Sequence, residues 1–378
     1  MTDLLQVTDF YDDPDAFDDR PAETVMITVV FAMFTFQMAT RNPSMRKEKL
    51  AESNRLYKYA LSFYSQLLWG ESLECMQALA LFLVYARSFP KPGNSWSLSN
   101  MVLTRVIDLD YHRSSKKIML PPSQQNPLAI ELRKRIFWSI LGIQVNISVK
   151  LGRPMSISPQ DIDVELPLAI LDSEITPQGL QNRSGKCDFW GAIFVSKLLP
   201  ISMDLYKNVI LVRKPEAEYL EDLAGLDARI SQWRQEWDEF TVNETRTGSH
   251  KIATHMIDIW AAELRIVLHH VSLCTSRTPE VFNKNMAACL LASRTILRNT
   301  AALMKEFKGP DFTWHSVSGY VLGLSIALQY HSNRKESLNV DAFKQMKHEL
   351  GEWLIVMKSS DRYMSKWDLH SNLIFIQL

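Results

Sequence analysis

The chain has 378 residues, and its 42 Lys plus Arg equal its 42 Asp plus Glu, so the formal net charge at pH 7 is zero. A nucleic-acid-binding protein usually carries a basic excess or stripe, and these totals argue against strong DNA binding by this chain itself. Hydrophobic residues make up 46% of the chain, which is enough to bury a sizeable core.

The cysteine content and the lengths of the apolar runs indicate the cellular compartment of the protein. The four cysteines are far apart and include no C-x-x-C pair, which predicts buried thiols in a reducing compartment; they are Cys75, Cys187, Cys274 and Cys289. The longest apolar run, residues 25–36, is shorter than the about 20 residues that a membrane span needs. We therefore expect an intracellular protein with no membrane contact and no metal bound by its own cysteines.

Residues 1–20 form an acidic tail with seven aspartates and one arginine, interleaved with Phe10, Tyr11 and Phe17. This composition predicts a disordered segment. Acidic-hydrophobic alternation is typical of activation segments that bind a coactivator, but a solvated linker has the same composition. Both interpretations stay open at this point.

The rest of the chain shows helical periodicity almost without pause, and neither alternating strands nor hairpin turns are evident. We predict an all-α fold, a single large helical body of about a dozen helices covering residues 21–378. The predicted helices are 22–40, 45–69, 72–88, 95–110, 127–150, 186–213, 216–240, 251–275, 280–307, 313–332, 340–358 and 362–375.

Residues 131–167 form the most informative stretch. Pro127 suits the first turn of a helix, whose N–H groups are unpaired anyway. Gly152 suits a left-handed cap, and Pro154 prevents continuation of the helix. Basic residues at a helix start oppose the helix dipole, so we expect Arg133 and Arg135 to have acidic partners.

Two aspartates, Asp161 and Asp163, follow in the next loop and are the candidates for these acidic partners. Arg153 stands between Gly152 and Pro154, and an arginine so placed is suited to donate several hydrogen bonds. We predict that Arg153 joins this helix to the acidic loop, with binding of an effector as the lesser alternative.

These residues resemble the signature of the fungal-specific transcription factor domain, the middle homology region of fungal regulators that carry a binuclear zinc cluster. Upstream, residues 72–79 and Trp96 resemble two further motifs of that family. One departure lies within the helix, where Gln144-Val145 stands in place of the family's usual Asp-Arg. The signature positions are Arg133, Arg135, Phe137, Trp138, Gly152, Arg153, Pro154, Asp161 and Asp163.

The resemblance implies the regulatory domain of a nuclear transcription factor that controls RNA polymerase II transcription, with structural or regulatory roles for the signature residues. Implied partners are the transcription machinery or a coactivator, and a homodimer or heterodimer with a related regulator. DNA contact and zinc are expected only through a cysteine-cluster module ahead of this sequence.

Two other classes of protein remain as alternatives. An interaction or dimerisation protein without its own DNA contact would share these features. An all-helical enzyme is less favoured, because neither a nucleophile elbow, a phosphate-binding glycine loop nor an H-E-x-x-H motif occurs. We therefore expect no catalytic and no cofactor-binding residues. His269 and His270 are adjacent, with His255 fourteen residues earlier, but adjacent side chains on a helix point about 100° apart and do not converge, so they predict no metal site.

Overall fold

The structure is a computed structural model of the chain. It describes residues 20–42, 44–87, 92–181, 187, 189–211, 214–242, 248–275, 278–307, 313–334 and 339–364. The acidic tail, apart from Arg20, and the predicted helix after residue 364 lie outside the described residues.

The described part of the chain is almost entirely helical, which confirms the all-α prediction. The α-helices are α1 Pro21–Arg41, α2 Arg46–Leu61, α3 Tyr64–Trp69, α4 Leu73–Ala86, α5 Pro92–Asp108, α6 Pro127–Leu151, α7 Trp190–Leu205, α8 Glu216–Val242, α9 Gly248–Thr275, α10 Pro279–Phe307, α11 Trp314–Asn333 and α12 Val340–Met364. One π-helical turn, Tyr206–Ile210, follows α7.

Contacts group the chain into two compact units, Met1–Ser196 and Lys197–Leu378. Helical periodicity shows which face of a helix is buried but not which helices share a core, so this division could not be read from the pattern. The separation of residues 1–20 from one domain at 21–378 stays a prediction.

In the first unit, α1 packs against α2 and α4, and α6 packs against α4 and α5. By length and composition α1 would also pass as a membrane span, but half of that apolar stretch is buried inside the fold. Two buried aromatic rings join α2 to α4, since Tyr57 stacks on Tyr85 with ring centroids 4.6 Å apart. The apolar composition of α1 thus partly reflects its place in a protein core.

The segment after α6 is irregular but packed. Two 3₁₀ turns, Pro159–Asp161 and Asp172–Glu174, precede a two-residue antiparallel ladder in which Ile175 pairs with Leu180. Apolar side chains anchor the segment, because Ile157, Val164 and Ile170 are buried. The short ladder was not predicted from the sequence.

In the second unit, α9 packs along α10, and α11 and α12 complete the core. Trp353 of α12 is fully buried in this core. It lies against Gly323 of α11, where an added Cβ would meet the indole Cη2 at 2.6 Å. The absence of a side chain at Gly323 therefore lets the indole approach the α11 backbone.

Helix boundaries differ from the prediction at a few places. The predicted helix 45–69 is divided at Ser62 and Phe63, where α2 ends and α3 begins. The predicted helix 186–213 consists of α7 and the π-helical turn, even though Pro200 lies inside α7. α12 continues to Met364, beyond the predicted break after residue 358.

Candidate functional site

The signature helix is α6, and both of its ends follow the predicted chemistry. At its start the side chain of Asn126 accepts a hydrogen bond from Ala129 N at 2.9 Å, which caps an otherwise unpaired N–H. At its end Gly152 adopts a left-handed conformation with φ of 61°. The sharply defined start and end of this helix, predicted from Pro127 and Gly152, are confirmed.

Trp138, beside Phe137, joins the middle of the signature helix to the acidic loop, which we define as residues 158–167. Both rings are buried and meet edge to face, with centroids 5.7 Å apart. The indole Nε1 of Trp138 donates a hydrogen bond to the carbonyl oxygen of Glu165 at 3.0 Å. Trp138 thus both fills the core and fixes the course of the acidic loop.

Arg133 is buried and makes no ion pair with an aspartate among the described residues. Its guanidinium donates to Gln124 Oε1 at 2.7 Å and to the carbonyl oxygen of Leu109 at 2.8 Å. It also lies over the ring of Tyr111, 3.8 Å from the centroid. The prediction that Arg133 pairs with Asp161 or Asp163 is wrong, because neutral oxygens and a π face take up its charge.

Burial at this site also shifts two pKa values. Desolvation lowers the pKa of Arg133 from its usual value, although the neighbouring Tyr111 opposes the shift. Burial raises the pKa of Tyr111 to about 12, so its hydroxyl stays protonated at neutral pH. The cation is therefore held against a neutral aromatic ring, which is a favourable arrangement for a desolvated guanidinium.

Arg135 has acidic partners, but they are not the predicted ones. Its Nε donates to Glu131 Oε1 at 3.2 Å, and its NH1 donates to Asp172 at 2.5 Å. The same guanidinium lies over the ring of Phe189, 4.6 Å from the centroid. Glu131 is only 1% exposed and also accepts a hydrogen bond from Leu168 N at 2.7 Å. This carboxylate therefore anchors the chain just beyond the acidic loop.

Asp163 holds the acidic loop against the turn that follows α5. Its carboxylate accepts hydrogen bonds from Ser114 N at 2.7 Å and from Lys117 Nζ at 2.9 Å. These two donors hold the pKa of Asp163 below its usual value. The main-chain N–H groups of Asp163 and Val164 both donate to the carbonyl oxygen of His112, at 3.1 Å each. The loop is thus bound through both its side chains and its backbone.

Asp161 has a local role within the acidic loop. Its carboxylate accepts hydrogen bonds from Ser158 N at 2.9 Å and from Ser158 Oγ at 2.8 Å, which closes a reciprocal cap on the short 3₁₀ turn. The backbone donor and then the hydroxyl lower the pKa of Asp161. Asp161 therefore stabilises the conformation of the acidic loop, and Asp163 binds the loop to the turn that follows α5.

Arg153 and Pro154 are exposed at the end of the signature helix. The guanidinium of Arg153 lies over the indole of Trp96, 5.0 Å from the ring centroid. Trp96 in turn donates from Nε1 to Ser148 Oγ at 3.2 Å. The prediction that Arg153 joins the helix to the acidic loop is therefore wrong, since its contact is with α5.

The uncharged pair Gln144-Val145 lies in the core of the first unit. The Gln144 amide donates to Ser148 Oγ at 3.0 Å and to Asn100 Oδ1 at 3.4 Å. Burying a charged pair costs much desolvation energy unless its hydrogen bonds are well satisfied. A neutral amide and an aliphatic side chain avoid that cost at this depth.

Lys116 and Lys117, in the turn that follows α5, lie close to carboxylates of the acidic loop. Lys116 Nζ lies 3.7 Å from Glu165, and Lys117 Nζ lies 2.9 Å from Asp163. In the folded chain these residues fasten the acidic loop.

Several partners at this site carried no recognisable signal in the sequence. Gln124 and Asp172 lie in separate polar segments and reach α6 only through the path of the chain. Glu131 could have been found, because it precedes Arg135 by one helical turn, a spacing that favours ion pairs. Together these groups make a network that fastens loops on both sides of the signature helix.

The cysteines that the structure describes do not belong to a group of side chains placed to hold a metal ion. Cys75, Cys187 and Cys289 are present as thiols, and the last two are buried. No group of three His, Cys, Asp or Glu side chains placed to hold a metal ion occurs among the described residues. His255 and His269 instead contact Asn299 and Asn285 on α10, with ring nitrogen to amide oxygen distances of 2.7 Å.

Comparison with known families adds a direct match. The sequence profile of the fungal specific transcription factor domain matches residues 9–235, which is more than half of the chain. The chain belongs to this family. The match includes the signature helix and the acidic loop, so the resemblance seen in the sequence is confirmed.

Curated relatives of this fungal transcription factor domain are distant. Activator of stress genes 1 of Saccharomyces cerevisiae is 26% identical over 46% of this chain and 18% of its own length. Protein STB5 of the same yeast is 24% identical over 74% of this chain and 38% of its own length. Pyrrolocin cluster transcription factor fsdR of a fungal species is 23% identical over 65% of this chain and 34% of its own length. The chain thus spans well under half the length of these relatives, and no solved structure matches it.

Proposed function

We propose that this chain is the regulatory domain of a fungal nuclear transcription factor that controls transcription by RNA polymerase II in a pathway-specific manner. The observation that carries the proposal is the family match over residues 9–235. The names of similar proteins, among them an activator of stress genes and a gene-cluster transcription factor, support it. No catalytic step forms part of this role.

The contacts of the signature residues support a structural contribution to that role. Arg133, Trp138 and Asp163 direct their hydrogen-bonding groups to other parts of the same unit. Trp138 and Asp163 fix the acidic loop and Arg133 fixes the segments before the signature helix, as a binding surface for the transcription machinery or a coactivator requires. A second copy of the chain, or a related regulator, is a further proposed partner.

DNA contact and zinc are proposed to belong to a cysteine-cluster module outside this chain. The zero net charge supports this part of the proposal, because DNA affinity rests largely on phosphate contacts by basic side chains. In a gel-shift titration at physiological salt we expect the purified chain to show no sequence-dependent affinity. Nanomolar affinity for one duplex, together with much weaker affinity for a scrambled duplex, would contradict the proposal that this chain does not itself bind DNA.

A tethering experiment tests the transcriptional role directly. The chain is fused to a heterologous DNA-binding domain and expressed in a fungal host with a reporter downstream of that domain's site. We expect the fusion to change reporter output, upward or downward, relative to the DNA-binding domain alone. Unchanged output from a nuclear fusion at equal protein level would overturn the proposal.

A second fusion in the same assay carries only residues 1–23. If this short fusion activates the reporter, and changing Phe10, Tyr11 and Phe17 to Ala removes the activation, the acidic tail is an activation segment. If it is inactive while the whole chain acts on the reporter, the tail is a linker, and the regulatory contact lies in the folded units.

A further inference from the structure

The outward face of α1 is apolar over most of its length. Phe34 and Met38 are 66% and 49% exposed, and Met26 and Val30 are partly exposed. Residues four apart lie on the same side of an α-helix, so these four side chains form one continuous row. We call this row the α1 stripe. The opposite side of α1 is buried against α2 and α4.

The two ends of α1 carry opposite charges. Glu23 lies in the first turn and Arg41 in the last turn. Their separation corresponds to about five turns of an α-helix with 3.6 residues per turn, which places both on the side of the α1 stripe. No ion pair joins either of them to another residue in the described part of the chain.

The positions of the α1 stripe are symmetric about the level of Ala32, although the two inner residues differ, one being Val30 and the other Phe34. Val30 and Phe34 lie two residues before and after that level, and Met26 and Met38 lie six before and after it. A two-fold axis at this level would therefore set Phe34 against the second copy's Val30, and Met38 against its Met26. A self-complementary patch of this kind is what a two-fold symmetric interface requires.

The charges follow the same symmetry. Glu23 and Arg41 each lie nine residues from the level of Ala32. In an antiparallel pair of α1 helices, the Glu23 of each copy would meet the Arg41 of the other, which gives two opposite-charge contacts at the rim of an apolar centre. A parallel pair would instead bring like charges together at both ends.

We propose that the α1 stripe is the interface of an antiparallel homodimer of this chain. The inference rests on the part of the proposed function that gives the chain a second copy as partner, and it identifies the surface. A lipid surface is the competing occupant of an apolar helix face. Helices that lie on membranes typically carry basic residues along the polar face, whereas α1 has one acid and one base placed symmetrically.

Sedimentation equilibrium of the full chain at low ionic strength tests the proposal. A single helix pair is small among specific interfaces, so we expect a reversible dimer over the micromolar range. Glu23→Arg and Arg41→Glu each turn both rim contacts into like-charge contacts, and each should raise the dimer Kd roughly fivefold or more. The double variant restores opposite charges and should return the Kd to within about twofold of wild type.

Two further variants separate the α1 stripe from general surface effects. Phe34→Glu places a charge at the centre of the interface and should leave the chain monomeric. Met119→Glu changes a residue that is 98% exposed elsewhere in the first unit, and it should leave the Kd unchanged. Circular dichroism confirms that each variant is folded, and the charge swap decides the question if Phe34→Glu fails to fold.

Three results would overturn the proposal. They are a monomeric wild type throughout the concentration range, a double charge variant no better than the single variants, and a Kd that responds equally to Met119→Glu. Vesicle sedimentation with neutral and anionic phospholipids tests whether the α1 stripe binds lipid instead of a second copy of the chain. If the wild type is monomeric and pellets with vesicles while Phe34→Glu does not, the stripe binds lipid. These experiments use purified protein without DNA, so their failure would not affect the proposed transcriptional role, which the reporter assay tests separately.

Discussion

Replacing Arg133 with methionine should destabilise the first unit strongly, although the residue lies in neither a catalytic nor a metal site. The aliphatic part of the side chain is retained, but Gln124 Oε1 and the carbonyl of Leu109 lose their donor. Leaving a buried acceptor unpaired costs about 1–3 kcal/mol. Loss of the contact over Tyr111 adds about 1–2 kcal/mol for a desolvated cation and ring.

Part of this cost is recovered, because a methionine side chain at this position carries no charge that must be desolvated. We therefore expect Arg133→Met to lower the free energy of unfolding by about 2–4 kcal/mol. Arg153→Met is the matched control, since Arg153 is an exposed arginine of the same signature. It loses only an exposed contact over Trp96 and should cost less than about 1 kcal/mol.

Urea denaturation followed by circular dichroism measures both variants. The Arg133→Met midpoint should fall with little change in slope, and the amide protons of α6 should exchange faster with deuterium, whereas Arg153→Met should resemble wild type. Equal stability of Arg133→Met and wild type, within about 0.5 kcal/mol, would refute the reasoning. A large loss of stability in Arg153→Met would show that the contact between Arg153 and Trp96 stabilises the fold by more than an exposed cation–π pair does.

Three other changes have clear expected outcomes. Gly323→Ala should cost about 1–3 kcal/mol through overpacking against Trp353, whereas Gly351→Ala, with open space at its Cβ, should be neutral or stabilising in thermal melts. Trp138→Ala should cost about 3–5 kcal/mol, and a melting temperature equal to that of wild type would contradict its place in the core. The pKa of Asp163 is lowered in the fold, so its contribution is present above its unfolded value of about 4 and is lost as pH falls through the folded value. Asp163→Asn should therefore flatten the loss of melting temperature on acidification below about pH 4, and an unchanged acid profile would contradict this role.

The sequence alone determined the fold class, the family and the ends of the signature helix. These features depend on local chemistry. Pro127 and Gly152 act through their own backbone preferences, and apolar periodicity marks the buried face of a helix wherever the helix is placed. The same locality explains why most helix boundaries were predicted within a few residues.

Only the tertiary structure decided which groups meet. Arg133 and Arg135 were expected to pair with Asp161 or Asp163, and Arg153 was expected to join the signature helix to the acidic loop. Their guanidinium groups are instead taken up by partners on other segments, namely Gln124, Leu109, Tyr111, Glu131, Asp172, Phe189 and Trp96.

The physical reason is that a guanidinium group, whether buried or exposed, can bind carbonyl oxygens, amide oxygens and aromatic faces as well as carboxylates. Charge complementarity in the sequence therefore does not identify the partner of an arginine. The partner is decided by which segments the path of the chain brings close to it. The division into two units has the same origin, because every helix offers an apolar face and only packing decides which faces share a core.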